Sequence, residues 1–521
     1  MLLSYLEDRA IGAIHPFAVL IVSLAIAVAC LWLLPRSVEG GGLAGFTGIA
    51  VLVLALLLFL GWPALLPVGG GSDLTHHLQL IGFIEQHWRL PRDPLTVESI
   101  GNMVNYTPGS HLLAAMAGQW LRSDGLHAVY PVLAVATALK AGLVYLIARR
   151  VAPADEERTP MALAAVVLLA LPYDVSLGSF VRWSFYAQVV SETCAVAMWW
   201  ALVLWDLRPS RAVALLFGIA GAGAYLSWPV WIGPPVVALG VLMLLHARIE
   251  FPRRIAHATL ALAPIGLVAV LHAAGRVSSL TIVQSGGASF DLSPSHFGWT
   301  LLMLTVAGVV IAVRRREARA TVVVLGAIVL QTIALFVVAR TSGADSPYMA
   351  RKMAHLAILP MAVLSALAIA HACRVAARAG AARRLAWIAL VIVVAGAGRT
   401  ISAMPRHAPV ITEDLYRAGL WARDHARPGC VDYLVPSDDS SYWLHHAVLR
   451  NPMHAPPGAA PPSFVYRDVV TRWVVGRGLP YVIADLTVVP REVREEIHGA
   501  ARFGSIVAGG RLNAGPCGSE P

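Results

Sequence analysis

Asp73 is followed at i+3 and i+4 by His76 and His77, directly after the glycines Gly69-Gly-Gly71. On a helix these three side chains share a face. A carboxylate beside two imidazoles can take a proton from an attacking hydroxyl or contribute to a metal site. The plainer reading is an acid at a helix N-terminus that complements its dipole. Further on, Tyr106-Thr-Pro-Gly109 forms a turn before the apolar run 110–121, with His111 in the first helical turn. In Ser346-Pro-Tyr-Met-Ala-Arg-Lys-Met-Ala-His355, Tyr348, Arg351, Lys352 and His355 crowd the start of an apolar run. An Arg-Lys pair there can hold a phosphate, Arg as a fork and Lys as a point charge, or can snorkel to lipid headgroups. Glu192 lies inside another apolar run, where a charge needs a partner. Arg182 or a facing cation is the candidate. The tryptophans of Ser227-Trp-Pro-Val-Trp231 offer faces for a sugar or anchor the membrane interface.

The elements that position these residues follow from composition. Of 521 residues 57% are hydrophobic and 13% charged, with mean hydropathy +0.67. The apolar residues fall in continuous runs long enough for helices to cross a bilayer, without the alternation of a β-barrel. About twelve spans are expected, near 14–34, 43–66, 126–148, 160–173, 180–205, 212–227, 229–247, 254–274, 297–313, 320–340, 351–372 and 385–400. The N-terminus carries no cleavable signal pattern, because Glu7 and Asp8 precede the first run. The net charge of +10 resides in short arginine loops, at 149–150, 208–211, 248–254, 314–316 and 374–384. This is the pattern of cytoplasmic loops, and no basic groove accompanies it, so no nucleic-acid partner is expected. The alternating arginine-poor loops, 68–125 among them, are then extracytoplasmic.

Residues 401–521 are polar and proline-rich, which predicts a small soluble extracytoplasmic α/β domain beyond a transmembrane domain of residues 1–400. Strands are expected at 431–435 and 481–484, and helices at 413–426, 465–476 and 490–500. Cys430 and Cys517 either pair or stay free there. No Walker A loop, G-x-S-x-G elbow or H-E-x-x-H motif occurs, which argues against ATP-driven transport and zinc proteolysis.

The order of these elements resembles the GT-C superfamily of membrane glycosyltransferases, which includes protein O-mannosyltransferases, aminoarabinose transferases and oligosaccharyltransferase catalytic subunits. In that superfamily an acid in the first extracytoplasmic loop is a catalytic base or metal ligand. Asp73 matches it by position, and Tyr106-Thr-Pro-Gly109 looks like the family's Tyr-Pro-Pro-Gly turn. Many members carry Asp-Glu or Asp-x-Asp where this chain has Ser72-Asp73-Leu74, and an additional span precedes the loop. The resemblance implies a polytopic α-helical enzyme of the inner membrane, its active site and C-terminal α/β domain extracytoplasmic. It would transfer a sugar from a polyprenyl-phosphate-linked donor to a glycan, lipid or protein acceptor. Asp73 would be the base. His76, His77, Tyr106, His111, Arg182, Glu192, Tyr348, Arg351 and Lys352 would bind substrate. No cofactor is required by the motifs, and a divalent metal is left open. A flippase for a lipid-linked intermediate and a catalytically silent scaffold are the alternatives, since fold does not fix function.

Overall fold

The apolar runs become helices in a computed structural model that describes the chain except residues 34–39, 69–72, 94–95, 180–184, 247–248, 274–292, 294–296, 345, 379–394, 397, 400–401, 403–407, 454–461 and 512–521. Each of the first eleven expected spans coincides with a helix, from Pro16–Leu33 to Ile358–Arg378. The twelfth, 385–400, falls mostly outside the described residues. Among the described residues six helices are long and apolar enough to cross a membrane: Gly42–Gly61, Gly125–Val151, Tyr186–Leu207, Phe251–Ala273, Arg316–Thr341 and Tyr348–Ala377. Pro16–Ala29, Arg211–Ser227, Pro229–Leu245 and Trp299–Ala312 are shorter. Proline accounts for one of these shorter helices: Pro229 removes a backbone donor, and Arg211–Ser227 stops just before it.

The chain divides into two units. The first contains Met1–Leu3, Val19–Leu60 and Leu133–Arg406. Its helices pack through small residues, as expected where lipid tails remove the hydrophobic drive and close backbone approach must supply the contacts. A Cβ added at Gly218 would meet the carbonyl oxygens of Leu260 at 2.7 Å and Ala261 at 2.9 Å. One added at Gly308 would collide with the Leu364 carbonyl. Beside that crossing the Thr305 and Ser365 hydroxyls lie 3.1 Å apart. Gly308→Val should therefore separate helices Trp299–Ala312 and Ile358–Arg378 and destabilise the protein by about 1–3 kcal/mol. An unchanged thermal midpoint in detergent would refute this. Asp206, 1% exposed, ties three segments of the same unit together. It accepts from Arg319 Nε at 3.2 Å and lies 2.7 Å from His246 Nε2.

The second unit contains Ser4–Ala18, Gly61–Val132 and His407–Pro521. Helix Asp73–His87 carries the acid in its first described turn, where a carboxylate complements the helix dipole. It is more enclosed than a surface helix: Leu74, Thr75, His77, Leu78, Gln79, Leu80, Ile81 and Ile84 are all buried. Asp8, fully buried, accepts from Leu90 N and from Arg92, both at 2.9 Å, and so fixes the chain that leaves this helix.

Residues 408–511 supply helix Glu413–His425 and a four-stranded sheet in the order β1-β2-β4-β3. The strands are β1 Val431–Leu434, β2 Tyr481–Asp485, β3 Ile497–Phe503 and β4 Ile506–Arg511. β1 runs parallel to β2, and the remaining pairs are antiparallel. Two strands and two helices stand where the sequence predicts them. The expected helix 490–500 does not: it ends as Arg491–Glu495 and the chain turns into β3. Gly499 and Gly504, both at φ +59°, explain the change. Gly504-Ser505 closes a tight hairpin that pairs Phe503 with Ile506, and a helix cannot accommodate that backbone. A register shift between His498 and Ala501 marks a bulge in β3. Under the sheet Leu434, Trp473, Val482, Ala484 and Val507 form a core. Asp432, 1% exposed, accepts from Arg472 at 2.6 Å, Trp473 Nε1 at 2.8 Å and Leu479 N at 2.7 Å. Cys430 is disulfide-bonded. Cys517, its expected partner, lies outside the described residues.

Candidate functional site

In the second unit the structure gathers three of the predicted residues around the Thr-Pro-Gly turn. Pro108 caps helix Gly109–Trp120, which buries His111 in its first turn. His77 Nδ1 lies 2.8 Å from His111 Nε2, the two rings stacked at 5.1 Å. Tyr106 presents its ring edge-on to His77 at 5.0 Å and to His111 at 5.5 Å. The carbonyls of Thr107 and Pro108 accept from the His111 ring. That makes His77 Nδ1–H the donor to His111 Nε2. Burial, and then the neighbouring His77, hold His111 well below the usual histidine range, so it is neutral.

Asp73 is exposed at the head of its helix. Its charge acts on His76, whose pKa is lowered by burial and pulled partly back by the carboxylate. The Tyr442 hydroxyl lies 3.4 Å from His76 Nε2. Thus His76 stays with Asp73 while His77 turns inward to His111. Among the described residues no group of three His, Cys, Asp or Glu side chains is arranged to hold a metal ion. Among the described residues the donor set around Asp73 does not fit one.

A histidine pair that carries no motif in the sequence adjoins this helix. His445 and His446 are both 4% exposed. Tyr433 Oη at 2.9 Å and Asn451 Nδ2 at 3.1 Å both donate to His445 Nδ1, which must therefore be unprotonated. Burial pushes His445 down to about 3 and His446 down to about 4. Both folded values lie below the unfolded value near 6.5, so the stability they contribute is complete above pH 6.5. It is lost as pH falls toward 4, at about 1.4 kcal/mol per pH unit for each histidine. Glu85, raised to about 7 chiefly by burial, has the opposite sign and costs stability as pH rises from about 4.5 to 7. The histidine contribution is therefore read as a difference. His445→Gln should flatten the fall in thermal midpoint between pH 6.5 and 4.5, and parallel curves for the two proteins would refute it.

The first unit brings other predicted residues to one pocket, lined by Ser179, Phe185, Gln188, Glu192, Trp231, Lys352 and His355. Helix Tyr348–Leu356 starts just after Pro347 and buries Tyr348 and Lys352. Lys352 Nζ lies 4.2 Å from the ring centroids of Phe185 and Tyr348, and 5.7 Å from that of Trp228. Three aromatic faces thus stabilise an ammonium that is 4% exposed. Arg351, next in the helix, is half-buried. Glu192 is paired with Lys140, whose Nζ lies 2.6 Å from Glu192 Oε2 and 2.6 Å from the Ser176 carbonyl. Its partner is therefore a facing cation. Arg182 lies outside the described residues. Lys140 was readable as the lone charge in the run 126–148. His445, His446, Asn451 and Phe185 carried no such signal.

No family model matches the chain, and no curated protein does. Solved structures do. ArnT from Cupriavidus metallidurans in the apo state aligns over 90% of this chain and 99% of its own, at 14% identity and TM-score 0.50. The same protein bound to undecaprenyl phosphate aligns over 91% and 99%, at 16% identity and TM-score 0.48. The Archaeoglobus fulgidus oligosaccharyltransferase aligns over 85% of this chain and 69% of its own, at 17% identity and TM-score 0.49. At such identities the likeness speaks for fold, and the apo ArnT match carries it. This helical chain, with its apolar spans, is similar in fold to ArnT from Cupriavidus metallidurans.

Proposed function

We propose that the protein transfers a glycosyl group from a polyprenyl-phosphate-linked donor to an acceptor at the outer face of the inner membrane. In this reading about twelve spans carry residues 1–400, with the loop 68–125 and the domain 401–521 extracytoplasmic. The observation that carries it is the setting of Lys352. A buried ammonium boxed by aromatic rings suits an anion whose charge grows as a bond breaks. Lys352 and Arg351 hold the donor phosphate. Asp73 takes the proton from the acceptor hydroxyl, the oxygen bonds to the anomeric carbon, and the carbon–phosphate oxygen bond breaks with its electron pair leaving on phosphate. Tyr348 and Glu192 shape the donor pocket, and His76, His77, Tyr106 and His111 shape the acceptor side.

The test supplies membranes containing the protein with a radiolabelled sugar on a polyprenyl phosphate and follows label into acceptor. Arg351→Ala and Lys352→Met should raise KM for donor roughly 10- to 100-fold, the size of a lost charge-assisted hydrogen bond. Movement of the labelled lipid across the bilayer without transfer would overturn the reading in favour of a flippase.

A further inference from the structure

The second unit contains a cavity of about 510 Å³ that the transfer reaction does not use. Its wall includes Gln79, Arg89, Arg92, Asp93, Thr96 and Arg450. Three guanidinium groups thus face one carboxylate. Two of them are anchored: Arg92 on Asp8 at 2.9 Å, and Arg450 on Glu85 at 2.6 Å. Arg92 also donates to the Asp8 carbonyl and Arg450 to the Gly82 carbonyl, and their five-donor forks exceed what these contacts consume. Arg89 is exposed on the same wall, two residues beyond the end of helix Asp73–His87. Arg450 is held at φ +60°, in the left-handed region. A β-carbon makes that conformation costly, so the surrounding structure must impose it.

An independent observation points to a ligand. Gln79 is 5% exposed, and its Nε2 donates to the Asn451 carbonyl at 3.2 Å. Among the described residues its Oε1 accepts from nothing. Reversing the amide would set Oε1 against the Asn451 carbonyl, which can only accept, and would leave His446 Nδ1 at 3.3 Å as its one neighbouring donor among the described residues. A buried acceptor without a donor costs free energy that a hydroxyl or amide seated against the wall would recover.

We infer that this cavity is a binding site for an anionic polyhydroxyl group, its negative charge on Arg89 and Arg92 and a hydroxyl donating to Gln79 Oε1. The site shares no residue with the donor pocket and stands without the transferase reading. Sugar phosphates and anionic lipid headgroups share this chemistry.

The full-length protein in neutral detergent is titrated with glucose 6-phosphate, glucose and inorganic phosphate by calorimetry. Glucose 6-phosphate should bind saturably and at least tenfold tighter than either part. Arg89→Ala, at an exposed position, and the near-isosteric Gln79→Met should each weaken it at least tenfold, with thermal midpoints reporting that both variants fold. Competition by phosphatidylglycerol, absent with phosphatidylcholine, assigns the seat to a lipid headgroup, and failure to compete assigns it to a soluble glycan. Both outcomes uphold the site. Equal binding of glucose 6-phosphate and inorganic phosphate, or binding unchanged in both variants, overturns it.

Discussion

Asp73→Asn should lower kcat for glycosyl transfer by about 10²–10⁴-fold, the usual weight of a positioned general base, with little change in KM for donor. The substitution keeps the shape of the side chain and its place at the head of helix Asp73–His87, while removing the group that receives the proton. The carboxylate is exposed and so remains reachable by an acceptor, and its negative charge also supports His76. A variant that transferred sugar at the parent rate would strip Asp73 of its assigned role. If the loss appeared only as a raised KM for acceptor, the residue would be a binding contact instead.

Lys140→Met should destabilise the protein by about 3–5 kcal/mol, more than the overpacking at Gly308. Lys140 is fully buried and Glu192 nearly so, with 0% and 8% of their side chains exposed. Removing the ammonium strands a carboxylate in a helix-packed interior and also deprives the Ser176 carbonyl of its donor. Lys140→Met combined with Glu192→Leu should recover most of the loss, since an apolar pair needs no mutual neutralisation. The readout is the thermal midpoint in detergent. A single variant as stable as the double one would mean that the pair contributes nothing.

Local chemistry was legible in the sequence, and long-range pairing was not. The apolar runs announced their helices because backbone groups in a bilayer must bond within the segment. Asp73 lies in the first described turn of its helix, and Tyr348, Lys352 and His355 lie on the helix that opens the next apolar run, where the sequence put them. The Tyr106-Thr-Pro-Gly109 turn led into a helix as expected, and His77, Tyr106 and His111 do meet. What escaped depended on residues far apart in the chain. Gln79 meets His446 across 367 positions. Nothing in His445-His446 itself says that burial will hold both rings neutral. The lost helix at 490–500 was a competition between a charged helical pattern and two glycines, which tertiary pairing with β4 decided. Two arginines of the Gln79 cavity, Arg89 and Arg92, stand in the stretch following the Asp73 helix, yet their convergence with Arg450 required the C-terminal segment to return.

The bulge in β3 has a bearing on behaviour in a crowded membrane. β1 is buried at every residue, which leaves β3 as the outer strand of the sheet at the other side. A flat outer strand would offer its unpaired amides and carbonyls to a neighbouring molecule and invite chain-to-chain zipping. The kink between His498 and Ala501, with Gly499 in the left-handed region and Arg502 on the strand, breaks that row. Copies of this protein packed side by side should therefore resist aggregation through their sheets.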